Sequence, residues 1–206
     1  MKILNLYAGI GGNRKLWPNE DNIVAVEFDK KIADEYKNNF PSDTVIVTDA
    51  HEYLLEHYNE YDFIWSSPPC QTHSNMNNFL HARGCKRYPD MSLWQEILFL
   101  KQFCKSKWVV ENVKSYYEPF IKPDTVGRHW FWSNFIIPNH KFKPITLSLT
   151  NARSSVRRAS KKHRESLEKY HGIKSKNTQA LVNCVNPELG LYVFNCAFNL
   201  KQEKII

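Results

Sequence analysis

Ser67-Pro68-Pro69-Cys70-Gln71 follows the apolar run Phe63-Ile64-Trp65. A thiol on a proline-stiffened loop just past a strand is placed to act as a nucleophile. Forty-one residues after Cys70, Glu111-Asn112-Val113 follows a second apolar run, Trp108-Val109-Val110, which puts a carboxylate at the same kind of strand end. A nucleophile and an acid at neighbouring strand ends make a candidate active site. The first apolar run closes on Gly9-Ile10-Gly11-Gly12, a turn whose missing β-carbons let a ligand approach backbone amides. Val26-Glu27-Phe28-Asp29 follows at about the distance at which an acid after the second strand accepts hydrogen bonds from a ribose. Turn and spaced acid together suggest an adenosine-type cofactor. Asp49, after the third run, either bonds an adenine amino group or caps the helix starting near His51.

These residues need a scaffold that brings strand ends together. Ile3–Tyr7, Ile23–Glu27, Val45–Thr48, Phe63–Trp65 and Trp108–Val110 read as strands separated by amphipathic stretches, the pattern of a parallel sheet covered on both faces. A helix is expected over 30–39, stopped by Pro41, and another after a Ser92/Gln95 capping box, both as packing elements. The aromatic run 128–135 suits a further strand, and Asn186-Pro187-Glu188 opens a closing helix that docks on the sheet. At 206 residues this is one α/β domain, 1–135 with 179–206, interrupted by a small insertion over 136–178. Five scattered cysteines without a Cys-x-x-Cys pair argue against a disulfide framework or a zinc site, and no metal is expected. No apolar stretch approaches membrane length and no signal-peptide core follows Met1, so a cytoplasmic protein is expected.

The charge is concentrated. Residues 151–176 hold nine Lys or Arg against Glu165 and Glu168, a balance of +7 that equals the formal net charge of the whole chain. Such a run is either a solvated helical face or a polyanion contact, and its place beside a catalytic-looking body favours the second.

In order and spacing, the glycine turn, Pro-Cys-Gln and Glu-Asn-Val resemble the cytosine-C5 DNA methyltransferases, and Asn183-Cys184-Val185-Asn186-Pro187 resembles their late cofactor-side motif. The resemblance implies a Rossmann-like sheet that binds S-adenosylmethionine and methylates C5 of cytosine in DNA. On that reading the cofactor meets Tyr7, Ala8, Gly9, Gly11, Gly12, Glu27, Asp49, Pro68, Asn183 and Val185. Cys70 adds to C6 so that C5 becomes nucleophilic, and Glu111, an acid whose pKa would be raised, protonates N3. Gln71, Ser74, Arg153, Arg157, Arg158, Lys161, Lys162 and Arg164 are the expected nucleic-acid contacts. The substrate expected is double-stranded DNA with the target base flipped out, and the protein a monomer.

The chain departs from the family in two places. Where members carry Gln-x-Arg-x-Arg, it has Val126-Gly127-Arg128-His129-Trp130; Arg128 alone carries over as a base-contacting residue, and which arginine it replaces stays open. The recognition region is also short, which resembles phage and mobile-element members and implies protection of DNA against restriction, with a cognate restriction enzyme as a partner the sequence leaves open. A second reading is a cytosine-C5 methyltransferase acting on RNA such as transfer RNA. A third is a degenerate binding subunit, against which intact Cys70, Gln71 and Glu111 weigh.

Overall fold

A computed structural model describes residues 1–19, 22–142 and 161–198. The chain runs β1 (Lys2–Leu6), β2 (Asn22–Val26), α1 (Lys30–Asn39), β3 (Thr44–Ile46), α2 (Ala50–His57), β4 (Phe63–Ser66), α3 (Met76–Ala82) and α4 (Ser92–Phe103). It continues through β5 (Lys107–Val113), β6 (Asp124–Val126), β7 (His129–Ser133), α5 (Lys161–His171), α6 (Thr178–Asn183) and α7 (Pro187–Ala197). The strands form one sheet in the order β3-β2-β1-β4-β5-β7-β6, with β7 antiparallel to both neighbours. This is the Rossmann-like α/β sheet that the family resemblance implies, with the parallel strands that the sequence pattern predicts. The chain leaves β1 toward β2 on one side and returns to β4 on the other, so the order reverses between β1 and β4. Ligands of open α/β sheets bind outside the carboxyl ends at such a reversal.

Because successive side chains alternate faces, Leu4 and Leu6 pack under α2 and α4 with Leu54, Trp94, Ile97 and Leu100. Ile3, Phe63 and Trp65 pack on the other face against Leu189, Val193 and Phe194 of α7. Each such side chain contributes about 1.5–3 kcal/mol by leaving water. The expected cap of α7 is present: Asn186 Oδ1 accepts from Leu189 N at 3.0 Å and Pro187 takes the first turn. Asp29 caps α1 in the same way. Among the described residues, no helix is long and apolar enough to cross a membrane.

Two expectations need correction. β5 does not end at Val110: pairing with β7, Glu111 opposite Phe131 and Val113 opposite His129, carries it past the end of its β4 partner. Glu111 therefore stands inside a strand, not on the loop after one. The Ser92/Gln95 capping box does not form; Asp90 Oδ1 accepts from Ser92 N at 3.0 Å instead. Residues 161–178, within the expected insertion, pack on the sheet domain. Leu167 and Ile173 are buried with Ala8, Tyr36 and Phe40, and Lys176 N donates to Glu35 Oε1 of α1 at 3.1 Å.

The glycine turn is held largely by protein. A β-carbon on Gly11 would lie 2.3 Å from the Phe40 ring, and one on Gly12 would lie 2.2 Å from Cys184 Sγ and 2.3 Å from the Val185 carbonyl oxygen. Gly9, at φ +55°, would meet nothing within 4 Å. Thus Gly11 and Gly12, expected to face a ligand, give their missing side chains to packing, and Gly9 is the open position. Gly12→Ala should cost about 1–3 kcal/mol through overpacking, read as a fall of about 2–4 °C in Tm for each kcal/mol. An unchanged Tm would show that residues 184–185 can retreat.

His171 is 6% exposed, and its burial, partly offset by the Leu181 backbone, pushes its pKa down to about 4. The unfolded chain binds this proton near pH 6.5, so its contribution is complete above that pH and is lost as pH falls toward 4. The loss should be on the order of 2 kcal/mol by pH 5. Thermal melts at pH 7 and 5 check this: His171→Phe should flatten the difference, and an identical pH dependence would refute the assignment.

Candidate active site

The chain turns out of β1 at Tyr7, the one non-glycine residue with positive φ (52°) among those described. That conformation costs of order 1 kcal/mol or more and needs support. Support comes from α4, where Glu96, fully buried, accepts from the Tyr7 hydroxyl and from Ser66 Oγ at 2.8 Å, and pairs with His51 Nδ1 at 3.2 Å. Burial, with the Glu96 carboxylate, pushes the Tyr7 phenol far above its ordinary range, and hydrogen bonding to Glu96 raises the His51 pKa. α4, read in the sequence as a packing helix, thus also holds the first turn of the site.

At the carboxyl ends of β1 and β4 lies a cavity of about 360 Å³ whose walls include Tyr7, Asp49, Pro68, Asp90 and Leu93. Three expected cofactor residues, Tyr7, Asp49 and Pro68, converge there. Asp49 also caps α2, accepting at Oδ1 from His51 N (2.8 Å) and Glu52 N (3.0 Å). Glu27 reaches the turn, with Oε2 accepting from Gly9 N and Oε1 from Asp29 N, both at 2.9 Å. Phe28 beside it is 75% exposed, an aromatic face next to the expected ribose acid. Ala8 is buried, its N–H on the Val26 carbonyl. The late motif sits on the other side of the turn: Val185 packs against Gly12, and Asn183 is exposed at the end of α6, bonded to Gln179. Neither lines the cavity.

The Pro68-Pro69-Cys70 loop is clamped from β5. Asn112 Nδ2 donates to the Pro68 carbonyl at 3.0 Å, while Asn112 Oδ1 accepts from Val113 N. The Cys70 carbonyl accepts from His73 N and Ser74 N, both at 3.0 Å. Burial and then the Glu111 carboxylate push the half-buried Cys70 thiol up, while the backbone and Arg128 pull it down. The three expected catalytic residues therefore share one electrostatic neighbourhood. Glu111 is 6% exposed and pairs with His129 Nδ1 at 2.6 Å; Arg128 Nε donates to His129 Nε2 at 3.3 Å. His129 was not anticipated. Its signal in the sequence is its place beside Arg128.

Gln71 is exposed beside Cys70, and Ser74, half-buried, bridges to Ser115. Arg153, Arg157 and Arg158, and the side chain of Lys162, lie outside the described residues. Lys161 pairs with Glu165 at 3.8 Å and Arg164 with Glu168 at 3.7 Å, each one turn along α5. Both are ion pairs within one helix, and Arg164 Nε makes no hydrogen bond among the described residues.

Among solved structures the chain is similar to a candidate DNA modification methyltransferase encoded within an Escherichia coli prophage, at 17% identity and TM-score 0.42, over 65% of this chain and 46% of that one. It is also similar to a mutant of DNMT2 from Spodoptera frugiperda, at 28% identity and TM-score 0.39, over 55% of this chain and 35% of that one. The chain thus spans less than half the length of either. Among curated proteins nothing matches. The model of the C-5 cytosine-specific DNA methylases matches residues 1–119, more than half of the 206, and takes in the glycine turn, Pro-Cys-Gln and Glu-Asn-Val. On that match the chain belongs to the C-5 cytosine-specific DNA methylase family.

Proposed function

We propose that the protein methylates C5 of cytosine in DNA, with Cys70 as covalent nucleophile and Glu111 as the acid at N3. The observation that carries this reading is the Cys70 loop, which follows β4 and is tied by its Pro68 carbonyl to Asn112 of the neighbouring β5, so that the thiol lies within electrostatic reach of Glu111 on that strand. The cavity fits S-adenosylmethionine in size, and Asp49, Glu52 and Asp90 on its walls suit a ligand bearing ammonium and sulfonium charge. Tyr7, Asp49, Pro68 and Leu93 would hold the cofactor, with Gly9, Glu27 and Phe28 at the adjoining turn. When bound, it supplies an electrophilic methyl group.

The remaining chemistry belongs to the protein. Cytosine C5 is a weak nucleophile, and C6 is unreachable within a stacked duplex, so the base must be flipped out. The Cys70 sulfur bonds to C6, the ring electrons move toward N3, and Glu111 delivers a proton there. Once C5 carries its new substituent, water takes its proton, the C6–sulfur bond breaks, the thiolate departs and N3 returns its proton to Glu111.

Bisulfite sequencing of DNA from cells expressing the protein tests the reading, with methylated cytosines in a recurring short context expected and none from Cys70→Ala. In a parallel assay with labelled methyl donor, labelling of transfer RNA and not duplex DNA would overturn the DNA assignment. The basic segment is proposed as the phosphate contact. Replacing Arg157, Arg158, Lys161 and Lys162 with alanine should weaken duplex binding and lower the slope of log affinity against log salt by about 0.9 per lost contact. A variant with wild-type affinity and slope would remove this segment from the interface.

A further inference from the structure

Glu111 owes its position to a side chain outside the family pattern. β5 and β7 pair with Glu111 opposite Phe131 and Val113 opposite His129, so Glu111 and His129 stand on the same face as diagonal neighbours, a separation that long side chains span. They meet at 2.6 Å between Glu111 Oε1 and His129 Nδ1, with side chains 8% and 11% exposed. The other imidazole nitrogen, Nε2, accepts from Arg128 Nε at 3.3 Å. With Nε2 accepting from Arg128, the tautomer with its hydrogen on Nδ1 lets His129 donate to Glu111.

We propose that His129, the residue after Arg128, is the positioning residue for Glu111, and that Arg128 sets its tautomer; this rests on the reading of Glu111 as the N3 acid. With Oε1 accepting from Nδ1–H, Oε2 is the oxygen left to carry the proton that Glu111 delivers to N3. As the Cys70 sulfur bonds to C6, this proton moves from Oε2 to N3. His129 keeps its own hydrogen, and its bond to Oε1 becomes a charge-assisted one, about twice as strong. The donor therefore favours the state after proton transfer over the state before it. Few water molecules reach the pair, and a low local dielectric strengthens this bias.

His129→Phe fills the space without a donor, and His129→Asn returns an N–H near the position of Nδ1. His129→Phe should keep wild-type Tm, cofactor binding and KM for duplex DNA, while kcat falls roughly 10- to 100-fold, the usual loss for a hydrogen bond to a charged group. His129→Asn should recover most of kcat, which a merely structural role would not predict. Wild-type kcat in His129→Phe would overturn the proposal, as would a folded His129→Asn no faster than His129→Phe. Should His129→Phe not fold, nitrogen-15 NMR of the wild-type imidazole decides independently of turnover. A protonated Nδ1 whose resonance moves in Glu111→Gln supports the pair; a protonated Nε2 in the free protein, or an unmoved resonance, overturns it. If the wild type methylates no cytosine, the proposed function fails, and the same NMR result still accepts or rejects the His129–Glu111 pair.

Discussion

Cys70→Ala should reduce methyl transfer to the detection limit while Tm and the cofactor-induced rise in Tm stay near wild type. The thiol is half-buried, and the loop is held by Asn112 on the Pro68 carbonyl and by the Cys70 backbone, neither of which needs the sulfur. Removing it therefore deletes the nucleophile and little else. Without a thiolate at C6, C5 cannot attack; of the other described thiols, Cys85 is exposed in the chain after α3, Cys104 and Cys196 are on helix ends, and Cys184 is buried against Gly12. Duplex DNA carrying 5-fluorocytosine should trap the wild type as an adduct that survives denaturation, because fluorine cannot leave C5 as a proton does. The thiol's pKa lies above its ordinary value, so the thiolate fraction of the free protein grows as pH rises through that raised value. Adduct formation should accordingly quicken from pH 7 to 9. Equal trapping by Cys70→Ala would end the assignment.

Much of the frame was legible because it depends on local patterns. Fully buried parallel strands read as continuous apolar runs, so β1, β2 and β4 stand out, and the glycine turn and Asp29 cap mark where the chain leaves them. What escaped depends on tertiary partners. Glu111 and Asn112 look like loop residues because both are polar, yet β7 pairs with them across the sheet and draws them into β5. Glu96 resembles any exposed acid on an amphipathic helix; only the fold shows three polar partners converging on it. His129 follows the same rule, since its partner lies 18 residues away on another strand. The basic density of 151–176 says nothing of packing: Leu167 and Ile173, two apolar residues among many charges, suffice to anchor α5 and its following turn on the sheet domain.

Glu111→Gln should keep the fold and lose catalysis. The substitution preserves volume, and the amide oxygen can still accept from His129 Nδ1–H, so the β5–β7 pairing and the neighbouring packing have no reason to change. An amide has no acidic proton for N3, and loss of a general acid typically costs about 10²–10⁴-fold. Duplex and cofactor affinities should stay close to wild type, which places the loss in kcat. Because protonation of N3 accompanies addition at C6, adduct formation with 5-fluorocytosine DNA should slow together with methyl transfer. Glu111→Asp separates acidity from placement: it keeps the proton but shortens the reach to both N3 and His129, and should fall between wild type and Glu111→Gln. If Glu111→Gln forms the adduct at the wild-type rate, the carboxyl group does not assist addition, and its role must be sought after methyl transfer, where the C5 proton leaves.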